Sequence, residues 1–345
     1  MPRLPRSALI LFVLASTFAL LLAACGDDDD DGGASDGGDD GKLNVVTTVA
    51  PITSVAENIG GTKINLTGVV PEGTNSHTFE PAPSIVAKLA DADLIIINGL
   101  QLEEPTLELA EANKANDAEI LLVGDLAIDE SEYKYDFSFP EKDGKPNPHL
   151  WPNPILTEEY AILIHDKLVE LDPDNANYYG SNLAELSNRL DDLAAAMETA
   201  TTTVPEDNRK LLTYHDSWAY WAPDYGFTIV GAIQPSDFAE PSAQEVADLI
   251  DQVNEEDIPA IFGSEVFPSD VLETIAAETG AEYVDDLRDD DLPGAPGDDL
   301  HSYIGLMVNN MKIMIPALGG DASAMDNVDT GLVFTDGEST ADYPQ

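Results

Sequence analysis

Three histidines and one aspartate carry the chemistry that this sequence offers: His77, His149, His215 and Asp290. Three neutral imidazoles with one carboxylate form an N3O donor set that suits tetrahedral Zn2+. Mn2+ is harder and prefers more oxygen, which a bidentate carboxylate would partly supply, and the Irving–Williams order places zinc above manganese. The chain's single cysteine, Cys25, excludes an internal disulfide and a thiolate ligand from the globular part. The other two histidines read differently. His165 sits on a helical stretch beside Ile162, Ile164 and Leu168, a partly buried structural position, and His301 opens the last helix as a cap-region residue. Asp290 is flanked by Asp289 and Asp291, so a one-residue shift of register would exchange the fourth ligand for either neighbour.

What must position these groups is legible as alternating strands and helices. Apolar, β-branched runs at residues 43–48, 64–70, 93–98 and 119–123 alternate with helical patterns near 52–59, 83–89 (opened by Pro83) and 105–113. A loop or small hairpin spans 131–146. Helical spacing of Ile155, Tyr160, Ile164, Leu168 and Leu171, then Leu183, Leu186, Leu190, Leu193 and Met197, predicts a long segment ending near Thr202, broken at Asp172-Pro173-Asp174. The second half repeats the alternation: strands at 210–214, 227–233, 260–263 and 282–287; helices at 217–224, 242–254, 268–280 and 301–318. Beyond Asp321 the chain is polar and is expected to fray.

The pattern predicts an α/β fold of two parallel-sheet lobes bridged by one long backbone helix, with the metal site in the cleft between them. His77, His215 and Asp290 each follow a strand, at the carboxyl ends where open parallel sheets place their ligand crevices. His149 lies in Asn147-Pro148-His149-Leu150-Trp151-Pro152, a loop stiffened by proline at the junction of the halves. The expected division is 42–155 for the first lobe, 156–204 for the linking helices, 205–320 for the second lobe and 321–345 for a polar tail.

The amino terminus has a separate role. Arg3 and Arg6 precede an apolar run, and Leu22-Ala23-Ala24-Cys25 closes it, the arrangement of a lipoprotein signal over residues 1–24. Cys25 would carry the lipid and anchor the chain to a membrane, extracytoplasmically; residues 25–41, rich in Asp and Gly, form a flexible tether. The whole chain holds 66 acids against 15 bases, a formal net charge of −51. Removing the 8 acids and 2 bases of residues 1–41 leaves 58 against 13, or −45, so the globular part itself is acidic. That balance excludes a nucleic-acid partner, which needs a basic footprint.

Four segments resemble the zinc- and manganese-binding lipoproteins of ABC importers, the cluster A-I metal receptors. They are Ser76-His77-Thr78-Phe79-Glu80-Pro81, Asn147-Pro148-His149-Leu150-Trp151, Tyr214-His215-Asp216-Ser217-Trp218-Ala219-Tyr220-Trp221, and Leu287-Arg288-Asp289-Asp290-Asp291-Leu292 with Ser302-Tyr303-Ile304-Gly305 after it. The resemblance covers residues 42–320. It implies two lobes with little hinge closure, His77, His149, His215 and Asp290 as ligands, and a monomer that captures a divalent metal and delivers it to an ABC permease. Two departures stand out. Phe262 is followed by Gly263-Ser264-Glu265, where relatives often carry an acid two residues after the phenylalanine, which leaves the role of Glu265 open; and residues 131–146 lack the histidine-rich loop of many zinc-specific members.

Two other function classes compete. A zinc-dependent hydrolase would need an open coordination position and a base, for which Glu265 or Asp216 would serve; a metal-binding surface adhesin would use the same anchor. Four protein ligands close the sphere and favour cargo over catalysis. The acid excess predicts adaptation to high salt, because screening relieves repulsion within so negative a surface. Thermal melting should therefore rise from dilute buffer to molar salt; a flat or falling melting temperature would contradict it.

Overall fold

The inner strands of this protein are apolar on both faces, and the tertiary structure uses both. In the computed structural model, which describes residues 41–234, 241–264, 266, 270–284, 287–339 and 341–344, Val45, Leu94, Ile96, Leu211 and Phe262 point into one central core. Their neighbours alternate outward. Val46, Ile95 and Ile97 pack in a second core, and Leu212 and Ile261 in a third. The signal segment, Cys25, the tether up to residue 40 and Glu265 lie outside the described residues.

The first sheet holds β1 (Leu43–Thr47), β2 (Ile64–Gly68), β3 (Leu94–Ile97) and β4 (Glu119–Leu122), all parallel, in the order β2-β1-β3-β4. Its connections carry α1 (Ala50–Gly60), α2 (Ile85–Ala90) and α3 (Glu104–Asn113), and α4 (Val123–Ala127) follows β4. Helix α2 begins two residues beyond Pro83, with Ser84 at its N-cap. Two helices then cross to the second half. In α5 (Pro154–Leu171), Asn153 caps the first turn by accepting from the Ile155 amide, and Pro154 needs no donor there. Pro173 interrupts the run as expected, in a short turn before α6 (Ala176–Thr202). At about 1.5 Å per residue α6 is roughly 40 Å long, and its buried stripe Tyr179, Leu186, Leu190, Leu193 and Met197 lies in the central core.

The second sheet repeats the first: β5 (Lys210–Thr213), β6 (Thr228–Ala232), β7 (Ala260–Phe262) and β8 (Glu282–Val284) run parallel in the order β6-β5-β7-β8. Helix α7 (Ala243–Glu255) starts in a capping box of Ser242 and Glu245; α8 (Asp270–Thr279) and α9 (Tyr303–Ala317) complete the set. Among the described residues no helix is long and apolar enough to cross a membrane.

Of the two forms expected for residues 131–146, the structure shows the loop, with short 3-10 turns in it. The structure departs from expectation in two places. Residues 217–224 make turns instead of a helix. A single helical bond joins the Ala222 amide to the Trp218 carbonyl, Pro223 has no N–H to continue it, and Gly226 turns left-handed at φ 72°. Docking decides this stretch: Trp218 and Trp221 are buried edge to face at 5.3 Å, and Trp221 stacks on Tyr225 at 4.9 Å. The tail beyond Asp321 is also not frayed. Met325, Val333, Phe334 and Tyr343 are buried, and Asp342 bridges to Thr67 of β2 in parallel.

Two buried bonds, relayed through Asn98, link the helical bridge to the histidine loop. The Tyr160 hydroxyl donates to Asn98 Oδ1 at 2.6 Å, and Asn98 Nδ2 donates to the Pro148 carbonyl at 3.0 Å. Tyr160→Phe should lower stability by about 1–3 kcal/mol, because it strands a buried acceptor. Urea unfolding measures this; an unchanged midpoint would show that Asn98 finds another donor.

Candidate metal centre

Both histidines of the first half sit two residues after an asparagine, and that spacing builds their loops. Asn75 Oδ1 accepts from the His77 amide at 2.9 Å, and Asn147 Oδ1 accepts from the His149 amide at 3.0 Å. Asn147 Oδ1 also lies 2.8 Å from His149 Nδ1. The oxygen can only accept, so His149 carries its proton on Nδ1 and turns the Nε2 lone pair inward. Asn147 Nδ2 in turn donates to the Asp216 carbonyl at 2.7 Å and to Asp136 Oδ2 at 3.0 Å.

His215, two residues past β5, is oriented in the same way by a carboxylate. Its Nδ1 lies 2.8 Å from Asp289 Oδ2, and both side chains are almost fully buried. Burial acts to raise the Asp289 carboxyl, but the His215 ring and the Ser217 hydroxyl outweigh it and hold the group below its usual value. A histidine that donates its far nitrogen to a carboxylate is a more basic ligand through the near one. Trp151 clamps the assembly: its Nε1 donates to the Asp289 carbonyl at 2.8 Å, and its own carbonyl accepts from Tyr303 at 2.7 Å.

The three rings meet through their Nε2 atoms. His77 Nε2 is 3.2 Å from His149 Nε2 and 3.0 Å from His215 Nε2, and among the described residues these histidines form the one group of three or more metal-ligating side chains drawn together within 4.8 Å. Nitrogens bound at about 2.0–2.1 Å to one tetrahedral ion stand roughly 3.3 Å apart. Burial, reinforced by the neighbouring His215, lowers His77 and His149 well below the usual imidazole value. Both are therefore neutral, the form that coordinates metal.

Asp290 stands outside the histidine trio. Its Oδ2 accepts from the Ser76 hydroxyl at 2.6 Å, one residue before His77, and burial together with the Asp289 charge pushes its carboxyl up to about 7. Asp291 Oδ2 accepts from the Gly73 amide at 2.7 Å. The three consecutive acids thus have three different partners. Asp216, the candidate base of a hydrolase, is wholly buried. Its Oδ2 accepts from the Ser138 amide at 2.9 Å, and its carboxyl faces Asp136, which burial and the Asp216 charge push up to about 9, so the pair shares one proton.

His165 and His301 lie elsewhere: His165 pairs with Asp166 at 2.9 Å, and His301 stacks edge-on against Tyr343 at 4.8 Å. Sequence reasoning missed Asn147 and Asp289 as orienting groups, although the Asn-X-His spacing was a readable signal. It also missed Phe139, whose buried ring lies 5.5 Å from that of His77 and 5.7 Å from that of His149. Phe139 and His77 line a cavity of about 100 Å3 with Leu100, Gln101 and Lys145.

Comparison with known proteins shows the family and the fold. Residues 45–317 match the model of the ZnuA family, described as the periplasmic component A of zinc-uptake complexes. The chain is 30% identical over 280 residues to the manganese-binding lipoprotein MntA of Halalkalibacterium halodurans, covering 81% of this chain and 90% of that protein. To the high-affinity zinc uptake system protein ZnuA of Bacillus subtilis it is 30% identical over 247 residues, 70% of this chain and 76% of that one. The solved periplasmic zinc binding protein TroA from Treponema pallidum shares the fold, with a TM-score of 0.73 at 24% identity over 80% of this chain and 99% of that one. The family model spans most of the sequence, both sheets and all three histidines, and the chain belongs to the ZnuA family.

Proposed function

We propose that this protein is the extracytoplasmic receptor of an ABC importer, which binds Zn2+ as cargo through Nε2 of His77, His149 and His215 and a carboxylate oxygen of Asp290, and delivers it to the membrane permease. The observation that carries this reading is the meeting of three Nε2 atoms at 3.0–3.2 Å. Two of those rings have their Nδ1 protons committed to Asn147 and Asp289, which leaves the Nε2 atoms of His149 and His215 as lone pairs beside His77 Nε2. A cation draws such lone pairs together.

The nitrogen-rich donor set supports zinc over manganese. Support for Asp290 as the fourth ligand comes from the partners of its neighbours: Asp289 orients His215 and Asp291 holds the Gly73 amide, whereas Asp290 lies against the serine beside His77. A sphere closed by four protein groups leaves no position for an activated water, so the reading is of a carrier and not a catalyst. Cys25 would carry the lipid anchor, with residues 26–41 as the tether to a monomeric body.

Elemental analysis of protein purified without chelator should find about one zinc per chain, and His215→Ala should lose it; full occupancy in that variant would remove His215 from the site. Asp289→Asn, which keeps the shape but weakens the grip on His215 Nδ1, should reduce zinc affinity about 10–100-fold in competition with a chelating dye. Affinity equal to the parent would show that Asp289 does not tune the ligand.

A further inference from the structure

The chain past α9 lies beyond the span of the family model, which ends at residue 317. It nonetheless crosses the molecule along a string of defined contacts. Arg189 Nη1 donates to the Gly331 carbonyl at 2.7 Å; the Val333 amide donates to Asn58 Oδ1 at 3.0 Å; Asp336 accepts from Thr62 Oγ1 at 2.8 Å and from the Tyr178 hydroxyl at 2.7 Å. The segment then meets β2, the edge strand of the first sheet. The Asp342 amide donates to the Leu66 carbonyl, and the Gly68 amide donates to the Asp342 carbonyl, both at 2.9 Å. Tyr343 is 8% exposed, and its hydroxyl donates to Glu57 Oε2 at 2.8 Å, while the Ser339 hydroxyl donates to Oε1 of the same buried carboxylate.

This strap reaches the metal loop. His77 hangs on the segment leaving β2, and the anchors of that segment come in sequence. The Val69 and Val70 amides donate to β1 and the residue after it, at Thr47 and Thr48; the Glu72 amide donates to the Pro344 carbonyl at 3.1 Å; the Gly73 amide donates to Asp291; the Ser76 hydroxyl donates to Asp290. Between the end of the sheet and the acidic segment, the strap supplies the intervening backbone partner. An edge strand left open presents unpaired N–H and C=O groups. Without the strap, the loop carrying His77 would span from the sheet to the acidic segment with no partner for the Glu72 amide, and Glu57 would lose its Tyr343 and Ser339 donors.

We propose that the carboxyl-terminal strap, with Tyr343 as its plug, positions the His77 loop and so slows release of the bound metal. The proposal rests on the reading of His77 as a ligand. Tyr343 touches no ligand; it acts through the strand edge and the Glu72 amide.

The test compares the parent chain with Tyr343→Ala, with a chain ending at residue 340, and with Ile275→Ala, a cavity in the outer core of the second sheet that serves as a control for lost stability. Two quantities are read: amide hydrogen exchange in peptides covering 69–78 and 146–152 without metal, and zinc release to a chelating dye. The strap variants should exchange faster over 69–78 and not over 146–152, and should release zinc about 10-fold faster, the lower end of what lost support around a ligand costs; Ile275→Ala should do neither. Unchanged exchange over 69–78 overturns the proposal, as does zinc release equal to the parent's, or a control that reproduces both effects. A parent chain that takes up no zinc, together with faster exchange over 69–78, overturns the ligand assignment and leaves the mechanical link between strap and loop standing.

Discussion

Three imidazole rings crowd their Nε2 atoms around one point, and the surrounding structure is built to hold them there. Burial keeps His77 and His149 neutral. Asn147 and Asp289 hold the far nitrogens of two rings, which fixes tautomer and direction together. Trp151 then locks the asparagine loop to the acidic segment through the Asp289 carbonyl. Rings held in this way need little further ordering to bind an ion, so much of the entropy cost of fixing them is met during folding.

Around this point the acids are sorted by environment and not by type. Asp289 is held below the usual carboxylate range by its histidine, Asp290 next to it is pushed up to about 7, and Asp291 to about 6. Desolvation acts on all three. What separates them is whether a positive or polar partner repays it. Behind the histidines, Asp136 and Asp216 form a second buried pair, tied to His149 through Asn147. The histidines thus stand among buried carboxyl groups in a strongly acidic protein, whose overall field attracts cations.

The scaffold leaves little freedom. Helices α5 and α6 share one core with both sheets, and a core packed on strands of either half resists a wide opening between them. The strap adds a second tie, closing the open edge of β2 with residues beyond the span of the family model.

Much of this was legible in the residue order. The alternation of apolar runs with helical spacing determined two parallel sheets and the broken helical bridge, because side-chain period and the lack of an N–H on Pro173 are local properties. The strand-exit positions of His77 and His215, and the stiff loop of His149, followed from the same pattern. Tertiary structure alone decided the rest. Residues 217–224 carry helical spacing, yet Trp218 and Trp221 gain more from burial than the chain gains from further turns after Pro223. The tail looks polar because its few apolar residues are scattered, and its partners, Glu57, Asn58 and β2, lie more than 270 residues away. The division of labour among Asp289, Asp290 and Asp291 was likewise beyond reach, since three identical side chains in a row differ only in what the fold places against each one.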